Sequence, residues 1–389
     1  MVRSISALAL AGAVAMAACT VTTMPPGTGG TGGTGTTGGG GAGTGGEAST
    51  GGATSTSSGG GGPFVGACNA GGPLTCNPYG VDLEAPALTG EAYWSFLKNT
   101  LVVPYYKPAP IYLGADAACP RCTEAIQHGL RLVLRVHAGD GPGKPASLPQ
   151  DMSMYRARLG ELLDSYAAAV GAVVIEDGAE TPETWAGSIE DYQALLHEAC
   201  DVAHEKAVNC TDGGITSTTM MLLIADYEIG NANAGSAIKM LTLAGDNPEL
   251  VAAFPTWPPA TEEDVKAALA GQKARLDAAK TLLAGARAVG LDYPSFRWYE
   301  RDQDTLDHAM ALTRLLSGCN AIATTDLGQR TQDMFEAMHK ADDAKELGMS
   351  LVIWTSHAGV DAPLVDDEGN VTPNGKALQT LSTTTFCGD

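Results

Sequence analysis

Short apolar runs alternate with stretches of helical spacing along most of this chain. The clearest run is Val173-Val174-Ile175, which stops abruptly in Glu176-Asp177-Gly178-Ala179-Glu180. Three β-branched residues in a row predict a strand with protein on both faces. Strands are predicted over 130–137, 172–176, 206–212, 295–299, 321–325 and 350–354. Helical spacing falls between them, over 152–170, 189–205, 262–289, 304–316 and 331–347. In the second of these helices Tyr192, Leu195, Leu196 and Val202 share a face, and Gly290 closes the third. Strand followed by helix, repeated over this length, predicts an α/β chain closed into a (β/α)8 TIM barrel. The first two strands fall within 64–115, where no pattern places them. Residues 215–260, with Tyr227, Trp257 and the prolines 255, 258 and 259, read as an insertion.

The ends of the chain follow other rules. Arg3 precedes an apolar, small-residue run from Ile5 to Ala18 that is too short to span a bilayer. Met16-Ala17-Ala18-Cys19 resembles a bacterial lipobox, with Met16 where leucine is usual. That resemblance implies cleavage before Cys19 and lipidation of its thiol; the alternative is an ordinary secretory signal cut nearby. Residues 20–62 are Gly, Thr and Ser with little to bury, a flexible tether. Their glycine runs are not a phosphate loop, since no strand precedes them and no Lys-Ser/Thr follows. One domain over 63–389 is expected, monomeric, held outside the cytoplasm at the cell envelope and reaching the membrane only through its lipid.

Composition narrows the partners. Lys and Arg number 23 against 44 Asp and Glu, a net charge of −21, which argues against nucleic acid or an anionic lipid surface. With Cys19 set aside, eight of the nine cysteines remain, an even count that reads as disulfides in an exported domain. Closeness along the chain suggests Cys68–Cys76, Cys119–Cys122, Cys200–Cys210 and Cys319–Cys387. Cys119-Pro120-Arg121-Cys122 has redox-motif spacing without a thioredoxin-like setting, so a structural bridge is expected there.

Barrels carry their chemistry at the C-terminal ends of their strands. Glu176, Asp177 and Glu180 stand at one such end and Asp326 at another. Trp298, Tyr299 and Trp354 stand near two more, and Arg135 and His137 close the strand at 130–137. Each has a plainer reading: Glu176 and Asp177 as helix caps, Glu180 as a solvated loop acid, the aromatics as core, the histidine as structural. His197 and His204 are seven apart with no third ligand, so no metal is expected. No nucleophile elbow supports a serine triad, and no cofactor motif is present.

In their order along the chain these residues resemble a clan A glycoside hydrolase. Phe296-Arg297-Trp298-Tyr299 resembles that family's sixth strand. Ala323-Thr324-Thr325-Asp326-Leu327-Gly328-Gln329 resembles the seventh, and Val352-Ile353-Trp354 the eighth with its sugar-stacking tryptophan. Leu364 to Asn370, followed by Pro373-Asn374-Gly375, resembles the closing loop. The run at 173–180 resembles the fourth strand. The resemblance implies an acid/base on the fourth strand and a nucleophile on the seventh, with Trp298, Tyr299 and Trp354 at the sugar. By their place at a strand end, Arg135 and His137 are expected to bind sugar hydroxyls or pair with the acids. Two positions depart from it: Gly178 where the acid/base would stand, and Asp326 where the family has glutamate. Retention needs carboxyls about 5–5.5 Å apart and inversion about 6.5–9.5 Å, and an aspartate is shorter by one C–C bond. Glu176, Asp177 or Glu180 are the remaining proton donors. The leading expectation is hydrolysis of glycosidic bonds in an extracellular or cell-wall polysaccharide. The second is a barrel that has lost catalysis and binds carbohydrate, and the third a purely structural surface protein.

Overall fold

The computed structural model describes residues 68, 76–114, 118–301, 303–356 and 362–383. Cys19, the tether over 20–62 and Cys387 lie outside the described residues. Nine parallel strands follow one another: β1 Tyr79–Leu83, β2 Tyr105–Tyr106, β3 Ile111–Tyr112, β4 Arg131–His137, β5 Val170–Ile175, β6 Asn209–Asp212, β7 Ser295–Trp298, β8 Ala323–Leu327 and β9 Leu351–Ser356. They occupy eight positions. β2 pairs with the start of β4 and β3 with its end, so the two are one barrel strand interrupted at Pro108 and Pro110, which have no N–H to give to a ladder. Isolated bridges Thr211↔Tyr293 and Ile215↔Phe296 join β6 to β7 and close the ring. The result is the (β/α)8 barrel expected from the alternation.

Helices separate the strands: α1 Glu91–Ser95, α2 Cys122–Gln127, α3 Met152–Tyr166, α4 Ile189–Glu205, α5 Ser217–Gly230, α6 Ala234–Leu243, α7 Pro248–Ala252, α8 Glu262–Gly271, α9 Lys273–Gly285, α10 Gln303–Ser317, α11 Met334–Glu346 and α12 Pro373–Ser382. α4 starts where expected because Ser188 and Asp191 form a reciprocal capping box. The helix expected over 262–289 is two, broken at Gln272, which leaves helical geometry at ψ 11°. The insertion over 215–260 is helical as well. α5 is buried continuously from Ser217 to Ala225, and a helix apolar on every side shows no 3.6-residue period. Among the described residues no helix is long and apolar enough to cross a membrane.

Two apolar layers hold the fold. Tyr105, Val133, Ala172, Val174, Tyr293, Ala323, Leu351 and Ile353 fill the barrel interior. Gly80 is bare because a Cβ there would stand 2.6 Å from Tyr105 Cβ and from Ile353 Cδ1. The alternate strand residues pack outward against the helices.

Cys119–Cys122 and Cys200–Cys210 are bonded as expected. The other two expected pairs are corrected: Cys68 bonds Cys319, 251 residues away, and Cys76 is bonded elsewhere. The Cys68 N–H donates to Leu291 O at 2.7 Å, which sets this residue against the loop before β7. A closed barrel brings distant segments together, so distance along the chain is a poor guide to pairing.

Candidate active site at the barrel mouth

On strand after strand, the next inward residue beyond the apolar floor is polar: Asp82 on β1, Lys107 just past β2, Arg135 and His137 on β4, Glu176 just past β5, Arg297 on β7 and Thr355 on β9. Glu176 has φ +59°, a left-handed conformation that costs a non-glycine residue energy. Its N–H still donates to Val136 O at 2.9 Å. The neighbouring strand accommodates it through Gly213, whose Cβ would lie 2.1 Å from Glu176 O. The bend turns the Glu176 side chain to Ala138 N, which donates to Oε1 at 2.5 Å, and to His137 Nδ1, 2.9 Å from Oε2.

Asp177 and Asp326 meet across Arg297. Its Nη2 is 2.6 Å from Asp177 Oδ1 and its Nε 3.3 Å from Asp326 Oδ2. Lys107, itself buried, donates to Asp326 Oδ1 at 2.6 Å, and Thr355 Oγ1 donates to the same oxygen at 2.7 Å. Arg135 sits 3.6 Å from both Asp82 and Asp177. Lys107 is 3.4 Å from Asp82, and His137 Nε2 is 3.5 Å from Asp177 Oδ2. Burial is the largest single influence on Asp326 and pushes its pKa up, but Lys107, Arg297 and Arg135 together hold the carboxyl far below the usual range. Burial is opposed in the same way at Asp177, by Arg297, Arg135 and His137, and its pKa is also lowered. Both arginines are held above their ordinary value because these acids outweigh desolvation. Asp212 is pushed the other way, raised to about 7 by burial although Ser295 donates to it through both N–H and Oγ.

The remaining expected site residues are placed differently. Glu180 is buried, and its Oε1 accepts the N–H of Thr216 at 2.7 Å, capping the start of α5. A Cβ on Gly178 would stand 2.8 Å from Thr216 Cγ2 and 3.3 Å from Glu180 Oε2. Trp298 and Trp354 do not line the mouth as expected. Both have 0% exposure and belong to the layer between barrel and helices. Strand residues alternate faces, so Arg297 and Thr355 point inward and their neighbours outward. Tyr299 is half-buried, packs on Gly328 and lies under the Arg330 guanidinium, 5.9 Å from its ring centre. Sequence reasoning passed over Asp82, Lys107, Tyr112 and Arg297. Tyr112 stacks on His137 with ring centres 5.1 Å apart and planes 26° apart. Arg297 was readable as the polar residue of alternating parity in Phe296-Arg297-Trp298. Among the described residues no group of three or more His, Cys, Asp or Glu is placed to hold a metal ion.

No protein-family model matches the chain, and no curated protein matches it in sequence. Its fold is similar to a family 39 glycoside hydrolase from the gut symbiont Bacteroides cellulosilyticus WH2, at TM-score 0.50 and 9% identity. That match covers 80% of this chain and 64% of the other, so the chain spans less than two thirds of that protein. It is also similar to a family 128 endo-β-1,3-glucanase from Sorangium cellulosum, with TM-score 0.44, 12% identity and 78% and 98% of the two chains covered. A family 128 endo-β-1,3-glucanase from Pseudomonas viridiflava gives TM-score 0.42, 14% identity and 78% and 96% covered. At such identities the likeness is one of fold: the chain has the (β/α)8 architecture found in glycoside hydrolases.

Proposed function

We propose that this protein is a glycoside hydrolase-like barrel that binds carbohydrate at its mouth without cleaving it. The observation that carries the reading is the state of Asp326. Glycosidic cleavage needs one carboxyl that keeps a proton and another that is free to attack the sugar or activate water. Asp326 is instead engaged by Lys107, Thr355 and Arg297, Asp177 is engaged by Arg297, and a glycine stands where the acid/base would be. What remains for recognition is the half-buried Tyr112 ring, stacked on His137, a planar group able to meet a sugar face. Lipidation at Cys19 would hold this barrel outside the cytoplasm on its glycine-rich tether. Palmitate labelling of the expressed protein tests that placement, and unlabelled protein in the medium would remove it.

A second reading, hydrolysis, has one observation in its favour. Glu180 Oε2 is buried without a hydrogen-bond partner, 3.3 Å from where a Gly178 side chain would begin, so a carboxylate does reach the acid/base space. Binding and reducing-end release, measured together on a panel of polysaccharides with the full-length protein, separate the two readings. Binding without release supports the first, and release sensitive to Glu180→Gln supports the second.

A further inference from the structure

Beside the mouth, between the end of β3, the loop after β4 and α3, lies a cleft of about 540 Å³. Its wall includes Ala138, whose N–H donates to Glu176 Oε1, so the cleft lies against the charged ring. Three polar groups in it keep bonding capacity to spare among the described residues. Tyr155 is 4% exposed, and its hydroxyl has no hydrogen-bond partner. Burial raises the pKa of that hydroxyl well above its ordinary value, so it stays a donor at physiological pH. Lys144 and Arg158 also line the cleft, and neither pairs with a carboxylate among the described residues. Arg158 donates through Nη1 to Leu113 O, which fixes the guanidinium at the end of β3 and leaves its other N–H groups for a ligand.

Two acids line the same cleft. Asp151 is committed to the start of α3, accepting from Ser153 Oγ at 2.6 Å and Met154 N at 3.0 Å. Asp140 is exposed and packs on Gly114, whose Cβ would lie 2.1 Å from its Oδ1. Lys144 and Arg158 therefore flank a buried hydroxyl, and neither cation is bound by a carboxylate among the described residues.

We infer that this cleft receives a sugar unit bearing an oxyanion, a carboxylate or a sulfate, with Lys144 and Arg158 opposite its charge and Tyr155 Oη donating to it. The inference rests on the glycan-binding reading above and adds the class of sugar. Charge-assisted hydrogen bonds of this kind are the stronger ones, and arginine suits planar oxyanions.

The test is titration of the full-length protein with three matched trisaccharides, ending in glucose, glucuronate or sulfated glucose. One or both anionic ligands should bind about tenfold more tightly than the neutral one at low ionic strength, and the preference should shrink in concentrated salt. Which anion is preferred identifies the group. Arg158→Gln should remove most of the preference, and Lys144→Met and Tyr155→Phe should each reduce it several-fold. Equal affinity for all three ligands overturns the anionic subsite while the glycan reading stands. A preference that survives all three substitutions also overturns it. No affinity for any of them defeats the glycan reading, and the subsite is then judged with free glucuronate and inorganic sulfate. The Tyr155 ring resonance, assigned by its loss in Tyr155→Phe, moves on addition if the subsite exists and stays still if it does not.

Discussion

Two residues separate the barrel floor from its mouth on the strands that build both. Gly80 gives way to Asp82, Tyr105 to Lys107, Val133 to Arg135, Val174 to Glu176 and Ile353 to Thr355. The floor is apolar and closed to water, and its cohesion scales with buried area and involves no charge for salt to screen or pH to titrate. The mouth sets Asp82, Glu176, Asp177 and Asp326 against Lys107, Arg135, Arg297 and His137. Buried ions of this kind are tolerable only as a complete set, because removing one partner strands the others. At the mouth Asp177 and Asp326 are engaged by the protein's own cations, the observation on which the proposed binding role rests.

The contrast can be broken from either side. The largest effect is expected for Lys107→Met, which strips Asp82 and Asp326 of their shared cation and should cost about 3–5 kcal/mol in urea unfolding at pH 7. Adding Asp326→Asn should restore part of that loss, since the two residues are coupled. A cost for Lys107→Met below about 1 kcal/mol, the scale of an exposed pair, would show that the ring is not closed. Ile353→Ala, in the floor, should cost about 2–4 kcal/mol through the cavity it leaves, and that cost should be the same in low and high salt.

Asp212 supplies a smaller effect with a defined sign. Burial raises its folded pKa to about 7, while in the unfolded chain it titrates near an ordinary aspartate, about 3.9. The folded state then binds the extra proton, so this group's contribution to stability declines as pH rises from about 4 to 7 and is flat above. Asp212→Asn should flatten the stability profile in that window. Asp177 and Asp326, with lowered pKa values, act the other way: their contribution is present above the unfolded aspartate range and is lost as pH falls towards their folded values. Unfolding curves across pH separate the two. The smallest effect on binding is expected for Trp354→Phe, which should lower stability yet leave glycan affinity where it was, because that indole faces the helices.

Strands β4 to β9 were readable because β-branched and aromatic runs alternate with helical spacing. β1 and the split second position were not: β2 is two residues long and prolines interrupt its continuation, so no run marks it, and Asp82 and Lys107 stayed hidden with it. Arg135, His137, Glu176, Asp177 and Asp326 were visible as polar residues ending buried strands. Trp298 and Trp354 were placed by analogy of motif when the two-residue period already pointed Arg297 and Thr355 inward. The capping role of Glu180 depends on α5, a helix with no amphipathic signal, so only the packed structure reveals it.

Reducing-end release by the full-length protein, followed over time on whichever polysaccharide it binds best and compared with Asp326→Asn, tests the closed mouth most directly. The account predicts saturable binding with no new reducing ends from either protein. Reducing ends that accumulate with the wild type and vanish with Asp326→Asn would contradict it.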